Sequence, residues 1–169
     1  MSERLKDFDS KDFVGQISIL TQLGQEKDTR YLPELFSLYD RLTGDKTVDA
    51  MIEHTLRDIL TESEEDTVKK LYSGTKKEKR LCLQIAGKNH FASAVSPIID
   101  LVKKETDTAL LTTAFISMSE LKSRRFLDLF RKNIKHPDDI IAGISTEMVG
   151  TFKDTHPELE LEKRIDIGD

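Results

Sequence analysis

Tryptophan is absent from this 169-residue chain, tyrosine occurs three times, and cysteine occurs once, at Cys82. A lone cysteine excludes an internal disulfide and leaves no set of thiolates for a structural zinc. No apolar run approaches the roughly 18 residues that a membrane-spanning helix needs. The opening stretch from Met1 to Asp7 has no apolar core of the kind a secretory signal carries. A cytoplasmic protein with no membrane partner is therefore expected. No stretch alternates with period two for long enough to form a strand. Glycine-rich phosphate loops, His-Glu-x-x-His, EF-hand loops and Gly-x-Ser-x-Gly are missing as well, and with them the commonest signatures of nucleotide, metal and acyl-transfer chemistry.

What the chain does have is charge. Charged residues make up 34% of it against 37% hydrophobic, with a formal net charge of −5. The apolar residues are spread along its length, which excludes a wholly disordered chain. Charge is distributed unevenly: residues 1–68 carry a net −8, residues 69–136 a net +9, and residues 137–169 a net −6. A basic middle lies between acidic ends.

Apolar residues recur at helical spacing in nine places. In 46–60 the stripe is Val48, Met51, Ile52, Leu56, Ile59 and Leu60; in 94–104 it is Val95, Ile98, Ile99 and Val102. Similar stripes predict helices over 11–24 (Phe13, Ile17, Leu20, Leu23), 30–42, 64–73 (Val68, Leu71, Tyr72), 107–119, 122–135 (Phe126, Leu127, Phe130, Ile134) and 138–152. Segment 76–88 is apolar over much of its circumference, as a helix buried between neighbours should be. Thr75 to Glu78 reads as a capping box. Gly44 and Gly74 stand where left-handed helix stops are expected, and Pro137 with Asp138 and Asp139 suits a first helical turn.

These predicted helices fall into pairs that repeat. One helix of each pair ends alike, at Leu23-Gly24, Ile59-Leu60, Ala86-Gly87, Met118-Ser119 and Val149-Gly150, with spacings of 36, 27, 32 and 31 residues. In the companion helices, Leu32-Pro33-Glu34-Leu35 lies 64 residues before Ser96-Pro97-Ile98-Ile99. An apolar helix ending in Leu-Gly, a short polar link, then a helix opening near an apolar-Pro pair resembles HEAT-like repeats of the short type found in phycobilin-lyase-like proteins. The resemblance covers residues 10–152, although the second and fourth units lack both the Pro and the Gly. It implies an all-α fold, a right-handed α-solenoid of about four to five antiparallel helix pairs over residues 1–152, with 153–169 as an acidic C-terminal cap or tail. A pair of about 31 residues cannot enclose its own apolar face and must stack on the next.

Residues with reactive side chains have structural explanations. None of His54, His90, His136 and His156 has another histidine at i+3 or i+4, so no helix presents two nitrogens to a metal. Cys82 sits in the most apolar helix and reads as a buried, inert thiol. The carboxylate runs at Glu64-Glu65-Asp66 and Asp138-Asp139 fall at predicted helix starts, where the dipole favours them. No catalytic residue, metal or cofactor is expected, and the chain reads as something other than an enzyme.

The basic middle is the feature above background. Lys76, Lys77, Lys79 and Arg80 cluster at one predicted helix start, and Lys122, Arg124 and Arg125 at another. Cations in a first turn oppose the helix dipole, which points to a use in binding. The expected function is a non-catalytic scaffold or adaptor for protein–protein interaction, self-association included, with these seven residues as contacts. Nucleic-acid binding through phosphate contacts along 69–136 is the competing reading. A lyase- or chaperone-like helper of a bilin-bearing protein is implied by the family resemblance alone.

Overall fold

The computed structural model describes residues 3–155. Its regular elements are nine α-helices: α1 Phe13–Glu26, α2 Leu32–Arg41, α3 Lys46–Thr61, α4 Glu64–Ser73, α5 Lys76–Lys88, α6 Val95–Lys104, α7 Thr108–Leu121, α8 Leu127–Lys132 and α9 Asp139–Thr155. Short 3-10 helices stand at Phe8–Ser10, Thr29–Tyr31, Ala92–Ala94 and Arg124–Phe126. No strand occurs among the described residues. The expected all-α class holds. Residues 156–169, most of the expected C-terminal cap or tail, lie outside the described residues, as does His156.

Side-chain caps start the odd-numbered helices. Asp12 accepts from the Gly15 amide at 2.8 Å, Asp45 from Thr47 and Val48 at 2.8 and 3.2 Å, and Asp107 from Leu110 at 3.0 Å. Asp138 accepts from Ile140 and Ile141, both at 3.0 Å, and Thr75 and Glu78 form the reciprocal capping box ahead of α5. Each satisfies amides that a helix start would otherwise leave unpaired. Successive caps, from Asp12 to Asp45, Thr75, Asp107 and Asp138, are 33, 30, 32 and 31 residues apart. That series is more even than the one read from the helix ends.

The unevenness at the other end comes from α3, where Leu60 lies 15 residues past the cap Asp45, whereas Gly24, Gly87, Ser119 and Gly150 each lie 12 past theirs. After α1, α5 and α7 the chain passes a left-handed residue (Lys27 φ 54°, His90 φ 53°, Lys122 φ 53°) and then a 3-10 turn before the even helix. Between α3 and α4 only Glu62 and Ser63 intervene, with no 3-10 turn.

Two expectations are corrected here. Segment 122–135 is not one helix: Lys122 caps the C-terminus of α7, Arg124–Phe126 is a 3-10 turn, and α8 spans only Leu127–Lys132. Gly74 ends α4 in an extended conformation, φ −77° and ψ 165°, whereas Gly44 does take positive φ, at 92°.

Each odd helix packs on the next odd one, α1 on α3, α3 on α5, α5 on α7 and α7 on α9. The even helices α2, α4, α6 and α8 pack against the odd helix that follows. Neighbouring odd helices run parallel and close. Thr55 on α3 donates to the Leu20 carbonyl of α1 at 3.1 Å, and Ser117 on α7 to the Leu83 carbonyl of α5 at 2.8 Å. Gly87 permits the α5–α7 approach, since a Cβ there would stand 2.9 Å from the Ser117 Cα. The buried apolar residues form one continuous cluster from Leu5 and Phe8 to Phe152. At its C-terminal end Phe130 stacks edge-on with Phe115 and Phe126, at 6.0 and 6.4 Å between centroids.

A polar contact joins α2, α4 and α5 inside this framework. Glu78 is buried, with Lys70 Nζ 3.4 Å from its carboxylate, and Thr75 donates to Asp40 at 3.1 Å. Desolvation where Asp40 meets α5, and then the Glu78 carboxylate beside it, push the Asp40 carboxyl above its ordinary range.

Candidate interaction surface

Tertiary structure engages some of the seven expected contact residues and leaves others free. Lys76 lies in the first turn of α5 and reaches the cap of α7, with Nζ 3.4 Å from Asp107 and 3.9 Å from Glu105. The Leu110 amide, aided by Lys76, holds the Asp107 carboxyl below its usual range. Lys77 donates to the Tyr39 carbonyl and lies 3.9 Å from the centroid of the Tyr39 ring, a cation–π contact that pins α5 to α2. These neighbours offset the cost of two cations at a helix start.

Lys122, Arg124 and Arg125 are not in a first α-helical turn at all. Lys122 sits at the C-terminus of α7, where the dipole favours a cation, and its amide donates to Met118 at 3.0 Å. The helix dipole therefore does not oppose these three cations. Arg125 donates to Ser96 Oγ at 2.8 Å, linking the 3-10 turn to the start of α6. Lys122 and Arg124 are exposed and hold no carboxylate among the described residues.

The seven residues do not form one patch. Because α5 and α7 run parallel, Lys76 and Lys77 lie at one end of this helix pair and Lys122, Arg124 and Arg125 at the other. The 13 residues of α5 put about 20 Å between those ends at 1.5 Å per residue. Lys79 and Arg80, adjacent in sequence, enter different grooves. Arg80 borders a groove of about 640 Å3 between α5 and α7, floored by Thr108, Ala109, Thr112 and the exposed Ile116. Lys79 borders a smaller depression of about 160 Å3 between α4 and α6. Leu71, Tyr72, Pro97 and Leu101 line its wall, and Lys104 stands at its rim.

Tyr72 is the residue that the periodicity of 64–73 misplaces. It falls on the apolar stripe of α4, yet it is 58% exposed while its neighbour Leu71 is buried. Successive residues of a helix point about 100° apart, and that turn leaves Tyr72 outward while Leu71 enters the core at 2% exposure. The uncharged outer face of α7 was legible, since Glu120 is the sole charged residue in Thr108–Leu121, but the pattern read there was packing.

The reactive side chains are occupied structurally. Burial pushes the Cys82 thiol up to about 12, so the nucleophilic thiolate is not formed near neutral pH. Burial also raises the Tyr39 hydroxyl, which donates to Glu53 at 3.3 Å. His54 is solvent-facing, with Nε2 3.5 Å from Asp58. Among the described residues no group of three His, Cys, Asp or Glu side chains is placed to hold a metal, and no helix is long and apolar enough to cross a membrane.

Comparison with protein-family models, with characterised proteins and with solved structures finds no significant match.

Proposed function

We propose that this chain is a right-handed, HEAT-like α-solenoid of four to five helix pairs that serves as a non-catalytic cytoplasmic scaffold for a protein partner. Support for the solenoid comes from the contact order, each odd helix on the next and each even helix on its successor, and from caps recurring every 30–33 residues. One observation supports the functional reading: most cations of the middle helices are left without carboxylates, Lys69, Lys70, Lys76 and Arg131 excepted. Within residues 3–68, Arg4, Lys27, Arg30, Arg41 and Arg57 each hold a carboxylate at 2.5–3.5 Å, and only Lys6, Lys11 and Lys46 hold none. In the middle, Lys79, Arg80, Lys88, Lys104, Lys122 and Arg124 hold none among the described residues, and exposed apolar side chains, Tyr72 and Ile116, stand beside some of them. Charged and apolar surface left over in this way suits steered association with an acidic partner.

The competing nucleic-acid reading asks for a basic track. The free cations instead flank separate grooves and opposite helix ends, which favours a protein. Affinity capture with and without nuclease tests the choice, using wild type and a Lys122→Glu/Arg124→Glu/Arg125→Glu variant. A protein retained after nuclease and depleted by the variant is the expected outcome. Retention that nuclease abolishes, with affinity for a DNA or RNA oligonucleotide that falls steeply between about 50 and 200 mM salt, would replace the scaffold with the phosphate-binding reading.

A further inference from the structure

We propose that the C-terminal end of α2 is a pH-operated latch: a proton held between Asp40 and Glu78 fastens the last turn of α2 to the start of α5, and its loss lets the strained turn at Leu42 relax. The inference is independent of the scaffold reading and concerns a movement within the fold.

Three successive residues tie this turn down. Lys77 on α5 donates to the Tyr39 carbonyl, Asp40 accepts from Thr75 Oγ1 at 3.1 Å, and Arg41 donates to Asp9 at 2.7 and 2.9 Å. The next residue, Leu42, has φ 63° and ψ 146°, a conformation that a bulky side chain adopts only under constraint. Its side chain is 53% exposed, so packing does not hold it there. The backbone on either side does. The Leu42 amide donates to the Leu38 carbonyl at 3.2 Å, and the Thr43 amide and hydroxyl both donate to Asp49 at 2.7 Å. A residue strained in this way relaxes once one of its fastenings opens.

Asp40 is the fastening that titrates. Its carboxyl hydrogen-bonds the Glu78 carboxyl, which is 4% exposed and already accepts from the Thr75 amide at 2.9 Å. Two carboxylates in contact, one of them buried, repel when both ionise, so one shared proton closes the contact. The cations facing the pair are Lys70 from α4, with Nζ 3.4 Å from Glu78, and Lys77 from α5. Lys77 draws the Asp40 carboxyl down, against the larger upward push of desolvation and then of Glu78. Arg41 is engaged with Asp9. From α3, Glu53 accepts from the Tyr39 hydroxyl and pairs with Arg57. Because Asp40 titrates above its ordinary value, the latch is closed below that ordinary value and opens as pH rises through the raised one.

The test is native-state hydrogen exchange of the full chain, read by NMR between about pH 4 and pH 7. Protection of the Leu42 amide, corrected for the intrinsic exchange rate, should fall about tenfold across that range, as one unit of pKa difference gives. The matching amide at the end of α7, Lys122 on the Met118 carbonyl, should keep its protection. Asp40→Asn should level the profile at Leu42. Leu42→Gly accepts the positive φ, so protection at position 42 should rise at every pH while the slope stays. Unchanged exchange at Lys122 would establish that both variants fold. A level wild-type profile, an undiminished slope in Asp40→Asn, lower protection in Leu42→Gly, or equal loss at Leu42 and Lys122 (global rather than local opening) would overturn the latch.

Discussion

Asp40 shows how one side chain carries a pH dependence through three helices. Its carboxyl titrates above the ordinary value of about 3.9 because contact with α5 desolvates it and Glu78 repels its charge. Protonation of Asp40 therefore favours the folded state. That contribution is complete below the ordinary value and is lost as pH rises through the raised one. Asp40→Asn keeps an acceptor for Thr75 and removes the titration. Urea unfolding at pH 4, 5, 6 and 7 should show the variant gaining on the wild type as pH rises, and a constant difference would rule this cause out. At the same scale, which lysines are engaged within the fold was only partly legible. Lys79 and Lys104 are left over and Lys76 and Lys77 are engaged, but that distinction lies in Asp107, Glu105 and Tyr39, which are 29 or more residues from the lysines they hold.

Among the helices, bounds were most legible where capping residues and a glycine mark them, as Ser63, Gly74 and Thr75 do for α4 and α5. The expected 64–73 and 76–88 match α4 and α5 at both ends, and 46–60 falls one residue short of α3. Segment 122–135 failed because Phe126, Leu127 and Phe130 are spaced as an α-helix would space them, whereas the positive φ of Lys122 and the 3-10 turn after it leave no mark on apolar spacing. The cap series was present in the sequence as Asp12, Asp45, Thr75, Asp107 and Asp138, but α3 runs three residues farther past its cap than its counterparts do to their marked ends, so counting from helix ends concealed its evenness. The glycines near those ends have different jobs. Gly87→Ala forces a methyl group against the Ser117 backbone and should cost about 1–3 kcal/mol. Gly150 has no atom within 4 Å of a Cβ, so Gly150→Ala should gain up to about 1 kcal/mol from helix propensity. Thermal melts of the two variants moving in the same direction would contradict the close α5–α7 approach.

Across the whole molecule, contacts between consecutive helices predict graded rather than uniform stability. Leu20 is fully buried between α1 and its neighbours, and truncating it to alanine should cost about 2–5 kcal/mol. In a solenoid that loss is confined to adjoining pairs. Hydrogen exchange of Leu20→Ala should therefore speed up in α1 to α3 and leave α7 to α9 close to wild type. Equal loss of protection throughout would mean one indivisible core and would end the solenoid reading.

Every odd helix is restarted by its own cap, so the chain does not depend on any turn to keep count. A residue gained or lost beside Glu62 and Ser63 is absorbed before Thr75 sets the next start. Length variation is thereby quarantined on the edge of the molecule where the odd helices end.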